Sequence, residues 1–118
     1  GRLLARFASI CGSNDTRLVV AYFPAYSQVY MKGAPALISE TLQRMCGPLN
    51  IDFLDLTPGF RERGAGRILH LAPLDFHLNP EGNRVFAELV AGYIRPLLES
   101  AGYGTNAHSL HGAPSAGL

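Results

Sequence analysis

The chain has 118 residues, 47% hydrophobic and 16% charged, with ten Lys and Arg against nine Asp and Glu for a net charge of +1. That length fits one domain at most, and the near-neutral balance supplies no field to attract a nucleic acid or an anionic membrane. The composition excludes a wholly disordered or collagenous chain, and no apolar run approaches the roughly 20 residues of a bilayer span.

Leu3, Leu4, Phe7, Ile10 and Cys11 recur at three- and four-residue intervals and predict an opening helix. No capping residue precedes it, so the sequence is expected to begin inside an element of a longer protein, and the lack of a leader peptide carries no information on targeting. Gly12-Ser13-Asn14-Asp15 predicts a turn. Arg17 to Phe23 is an almost continuous apolar run, the pattern of a strand covered on both faces, and Pro24 ends it. From about Pro35 to Cys46 the stripe Leu37, Ile38, Leu42 and Met45 predicts a helix with Pro35 near its first turn and Gly47-Pro48 as its stop. Cys11 and Cys46 lie among apolar residues without metal-ligand spacing; they are expected to be buried free thiols and fix no compartment.

Ile51 to Leu56 predicts a second strand, followed by Thr57-Pro58-Gly59 and an Arg-rich connection through Gly66. Arg67 to Leu71 predicts a short extended piece. Asn79 is a good cap and Pro80 suits the first helical position, and Val85, Phe86, Leu89, Val90, Tyr93, Ile94, Leu97 and Leu98 form a wide apolar stripe beyond them. Pro96 predicts a kink, or a stop near Arg95 and a restart, with Gly92 easing the bend four residues back. Residues 101–118 contain no Asp, Glu, Lys or Arg and few large apolar side chains, and are expected to form a flexible tail. Alternation of helix and strand predicts an α/β fold with parallel strands over residues 1–100, one part of a three-layer α/β/α arrangement. Two strands are too few for such a sheet, so further N-terminal strands or another chain are expected to complete it, by pairing or by self-association.

The densest polar cluster, Leu74 to Gly82, lies between an extended segment and a capped helix, where ligands bind in open α/β folds. An imidazole works as a base when a carboxylate fixes its tautomer and stabilises its charged form, which Asp75 can do for His77 two residues away. The same spacing also suits plain loop hydrogen bonding, with Asn79 capping, Pro80 starting the helix and Gly82 permitting close packing. Spacing alone leaves both roles open.

Asp75-Phe76-His77-Leu78-Asn79-Pro80-Glu81-Gly82-Asn83-Arg84, followed by Ala87-Glu88, resembles the last block of the SGNH (GDSL-like) hydrolases, in which an acidic residue and a histidine precede an Asn-Pro-x-Gly helix start. Leu18 to Pro24 with Gln28-Val29-Tyr30 resembles the penultimate strand of one bacterial branch, and Ile51 to Phe60 resembles the last strand and its exit. The likeness runs in order over about residues 1–100. It implies a flavodoxin-like sheet whose first strands are missing, and an esterase or O-acyltransferase acting on acyl esters, often of carbohydrate or lipid. It implies no cofactor and no metal. His77 takes the place of the base, Asp75 that of its orienting acid, and Asn79 and Gly82 those of the loop and helix start. The family form is Asp-x-x-His; here the spacing is Asp-x-His, known from a subset.

The nucleophile block is missing. Gly12-Ser13-Asn14-Asp15 imitates another family block, but a long crossover should separate that block from the next strand, which here begins about two residues later. Ser13 is therefore not read as the nucleophile. Without one, the chain alone is expected to be inactive. The resemblance is compatible with a cell-envelope or extracytoplasmic location, and the sequence does not fix one.

Other signals admit less chemistry. His70 sits between Leu69 and Leu71 as an accommodated extended-segment histidine, and no third ligand at a constraining spacing joins Asp75 and His77, so no metal site is predicted. His108 and His111 fall in the expected tail. Arg61, Arg63, Arg67 and Arg84 suit either an anionic substrate or a solvated connection, and Tyr22, Tyr26 and Tyr30 either a pocket lining or partial burial. The competing non-enzyme reading is an α/β binding or assembly module that self-associates.

Overall fold

The computed structural model describes residues 1–71 and 75–103. They form α1 (Arg2–Ser13), β1 (Val19–Tyr22), α2 (Tyr26–Tyr30), α3 (Leu37–Cys46), a 3-10 turn (Gly47–Leu49), β2 (Asp52–Asp55), α4 (Thr57–Arg63) and α5 (Pro80–Ser100). The class is mixed α/β: β1 and β2 pair in parallel, Val19 opposite Asp52 through Tyr22 opposite Asp55. The N–H groups of Asp52 and Leu56 donate to the carbonyls of Leu18 and Tyr22, so the even-numbered residues of β1 face β2 and the odd-numbered ones line its outer edge. Both outer edges are unpaired among the described residues. Residues 104–118, and with them the expected tail, His108 and His111, lie outside the described residues, as do 72–74.

Four elements depart from the expectations above. Tyr26 to Tyr30, in the proline exit of β1, is helical because the buried Gln28 side chain accepts from the Ala25 N–H at 2.9 Å and from the Tyr22 hydroxyl at 2.6 Å, while its amide donates to the Pro35 carbonyl at 3.1 Å. That last bond holds Pro35 outside α3, and Ala36 takes the N-cap position. Thr57-Pro58-Gly59, expected as a connection, opens α4. Asp55 accepts from the Thr57 N–H at 2.8 Å, Pro58 occupies the first turn, and Gly59 lets Leu89 of α5 approach to where a Cβ would stand 2.7 Å away. Arg67 to Leu71 forms no strand. It makes one antiparallel bridge, His70 with Leu78, flanked by Asn79 N–H to Leu69 carbonyl (3.0 Å) and Leu71 N–H to His77 carbonyl (2.9 Å). Finally, α5 neither stops at Arg95 nor restarts: it runs unbroken through Pro96 to Ser100, and since a Cβ at Gly92 would meet nothing within 4 Å, the absence of a side chain there is not what admits the ring.

The core is small. Leu56, Phe60, Leu69 and Val85 are buried together, with Val29, Leu54, Leu78, Phe86, Leu89 and Val90 packed against them. Cys46 is buried and Cys11 half-buried, both as free thiols, and burial pushes the Cys46 thiol pKa up. Helix α1 buries no residue: Leu3, Phe7 and Ile10 are all more than half exposed.

His70 sits beneath this layer at 2% exposure, among the rings of Tyr26, Tyr30 and Phe60. Its Nε2 lies 3.4 Å from the Pro24 carbonyl, its only acceptor, and its Nδ1 has no partner among the described residues. Burial holds its pKa below the ordinary 6.5, because the charged ring would lose water and gain no counterion. The unfolded chain therefore binds a proton that the folded chain refuses. His70 costs nothing above the ordinary pKa, and stability falls as pH drops below it toward the depressed folded value. Thermal melts between pH 7 and 5 should show this decline, and His70→Gln should flatten it.

Candidate active site

The Leu78–Asn79 end of the loop is tied down on two sides. Asn79 Oδ1 accepts from the Gly82 N–H at 2.8 Å, capping α5, and its Nδ2 donates to the Ile68 carbonyl at 2.7 Å. Gly82 presses directly on the core strand-like piece: a Cβ there would lie 2.0 Å from the Leu69 carbonyl oxygen. Asn79→Ala removes both side-chain bonds and is expected to cost about 1–2 kcal/mol in urea denaturation. Asn79→Asp keeps the cap acceptor but loses the Ile68 donor, and should fall between the two.

On this support Asp75 and His77 meet. Asp75 Oδ1 accepts from the His77 backbone N–H at 2.9 Å and lies 2.6 Å from His77 Nδ1. A carboxylate only accepts, so in the neutral ring it is Nδ1 that carries the proton and Nε2 the lone pair. The backbone N–H, and after it the ring, hold the Asp75 carboxyl below its ordinary pKa, which keeps it ionised. Both groups face solvent: the His77 side chain is 89% exposed and that of Asp75 52%. The pair is thus an accessible base with a fixed tautomer, and water screens the attraction between its members.

The dyad lines an open cleft of about 940 Å³ together with Tyr22 at the carboxyl end of β1 and the exit residues Phe23 and Ala25. Phe23, Phe76, Leu78 and Phe86 are its large apolar lining residues, and Asn83 joins Asp75 and His77 among the polar ones. Phe23 meets Phe86 edge to face, centroids 6.3 Å apart. Of the three tyrosines singled out in the sequence, only Tyr22 lines this cleft. Tyr26 packs on Tyr30 and on Phe76, and the Tyr30 hydroxyl accepts from the Leu69 N–H at 2.7 Å. The sequence signal for the wall was weak, one Phe between the acid and the histidine and one before Pro24.

The arginines are occupied elsewhere. Arg61 donates to the Gln28 carbonyl, Arg63 pairs with Glu88, Arg67 with Glu81, and Arg84 with both glutamates. Arg84 in turn holds the Glu81 carboxyl below its usual range. Ser13 ends α1, where its hydroxyl donates to the Ser9 carbonyl at 2.8 Å, and it does not line the cleft. Among the described residues no three His, Cys, Asp or Glu gather as metal ligands, and no helix is long and apolar enough to cross a membrane. No protein-family model matches the chain, and neither the curated proteins nor the solved structures searched hold a match to it.

Proposed function

We propose that this chain is the carboxyl-terminal part of an SGNH-type serine esterase or O-acyltransferase, within a three-layer α/β/α sheet, and that it supplies the base and the orienting acid but not the nucleophile. One observation carries the reading: Asp75 Oδ1 stands 2.6 Å from His77 Nδ1, and both side chains line an open cleft together with Tyr22, the last residue of β1. In this chemistry a serine oxygen attacks the acyl carbonyl while Nε2 takes the serine proton. Nε2 then gives that proton to the leaving alcohol, and water or a second alcohol releases the acyl group. His77 is the base, Asp75 holds its tautomer, and Asn79 and Gly82 fix the loop.

Among the described residues no serine lines the cleft, so the base has no hydroxyl there to activate. The purified 118-residue chain should hydrolyse a short-chain aryl ester no faster than free imidazole at equal concentration. Turnover by this chain alone that disappears in His77→Ala would overturn the missing-nucleophile reading. Joined to a segment that supplies the nucleophile, the same chain should turn the ester over.

A second reading is favoured by the open sheet edges and by α1, whose Leu3 (74% exposed), Phe7 (58%) and Ile10 (51%) share one uncovered face: a module that self-associates through these surfaces. Light scattering separates the two. A stable dimer that Phe7→Ser dissolves supports it, and a strict monomer at high concentration removes it.

A further inference from the structure

The geometry points to a neutral, apolar acyl group as the occupant of the cleft beside His77. This rests on the proposed role of His77, and it goes further by naming the chemistry of the substrate. The wall is built from Phe23, Phe76, Leu78 and Phe86, drawn from the exit of β1, the dyad loop and α5. Phe23 and Phe76 remain 50% and 63% exposed, so their faces are open to a ligand. Tyr22, the other aromatic in the cleft, spends its hydroxyl on Gln28.

Charge excludes the alternatives. No Lys or Arg lines the cleft, and the arginines nearest in sequence are held by Glu81, Glu88 and the Gln28 carbonyl. An anionic acyl group would meet Asp75 and no cation. A sugar presents a hydroxyl on nearly every carbon, and each would need a partner; the cleft offers four polar side chains, of which His77 is the base itself and Tyr22 already bonds Gln28. A hydrocarbon or aryl chain needs none. With the ester carbonyl at the Asp75–His77 end, such a chain lies along the phenylalanines and buries its own surface against theirs.

Alkyl phenyl ketones, from butyl to octyl, test this because they copy the acyl and aryl parts of an ester but carry no leaving group. Their binding to the 118-residue chain is read from NMR shifts of the Phe76 and His77 ring protons. Affinity should rise about two- to four-fold for each added methylene. Phe76→Ser and Phe23→Ser should each cost about ten-fold for the octyl ketone, while Leu37→Ser, an exposed position on α3 outside the cleft, changes nothing. Succinate monoesters and methyl glycosides should produce no saturable shift. A series flat in chain length, an equal loss in Leu37→Ser, or tighter binding of the succinate or the glycoside overturns the inference. The ketones carry no leaving group, so a failed binding series overturns the acyl pocket whatever the turnover result, and the base is judged separately by turnover.

Discussion

On the proposed esterase reading, His77→Ala should lower kcat of a polypeptide that joins this chain to a nucleophile-bearing segment by about 10⁴-fold or more, with KM within a few-fold. Base and nucleophile act as a unit, so removing the acceptor of the serine proton forfeits nearly all of the covalent route. Loss of fold cannot produce this result. The His77 side chain is 89% exposed, and its fold contacts run through backbone groups that alanine keeps: its carbonyl accepts from the Leu71 N–H and its own N–H donates to Asp75. Its stability should stay within about 0.5 kcal/mol of the parent.

Asp75 should divide in an informative way. In Asp75→Asn the His77 backbone N–H still demands an acceptor, which holds the amide oxygen where Oδ1 now lies and leaves it facing Nδ1. The tautomer survives and only the charge that stabilises the imidazolium is lost, so the expected loss is about 10²-fold. Asp75→Ala loses both and should fall further. This ordering differs from that of an acid without the backbone bond, where an amide is free to present its NH₂ and enforce the wrong tautomer at a cost of about 10⁴-fold. If His77→Ala leaves kcat within ten-fold, the base is some other group.

The parts of the molecule that were legible in its sequence are those where local preference and tertiary contact agree. The Val19–Tyr22 strand follows from a run of β-branched and aromatic residues, although it is not covered on both faces as expected and none of its residues is fully buried, and α5 follows from a cap, a proline at its start and a long stripe. Helices α2 and α4 were not legible, because their residues point elsewhere locally. Tyr26 to Tyr30 is rich in aromatic residues, and Thr57-Pro58-Gly59 is turn chemistry. Each becomes helical through side-chain bonds that hydrophobic patterning does not reveal, Gln28 bonding Ala25 and Pro35 in the first and Asp55 accepting from the Thr57 N–H in the second. The same division holds at the site. Asp75 and His77 meet because two residues separate them on one loop, which spacing reveals. The apolar wall joins Phe23, Phe76 and Phe86, some 50 residues apart in part, and no local pattern brings those segments together.

Gly82→Ala should destabilise the chain by about 2–3 kcal/mol, a drop in Tm of roughly 10 °C or more for a domain of this size. The added Cβ would sit 2.0 Å from the Leu69 carbonyl oxygen, 3.0 Å from its carbon and 3.1 Å from Leu78 Cδ2. A backbone carbonyl cannot swing aside as a side-chain end can. Leu69 is fully buried against Phe60 and Val85, and its carbonyl already accepts from the Asn79 N–H at 3.0 Å. The helix must therefore lift, which opens the core on one side and loosens the loop that carries the dyad on the other. Alanine returns up to about 1 kcal/mol through its better helix propensity, too little to offset the clash. Gly92→Ala, on the same helix with nothing within 4 Å of the new Cβ, gains that propensity without the clash and should raise stability. Opposite signs at the two glycines would isolate the contact from the helix itself. A Gly82→Ala protein as stable as the parent would mean that α5 does not sit on Leu69, and the loop holding Asp75 against His77 would lose the anchor assigned to it.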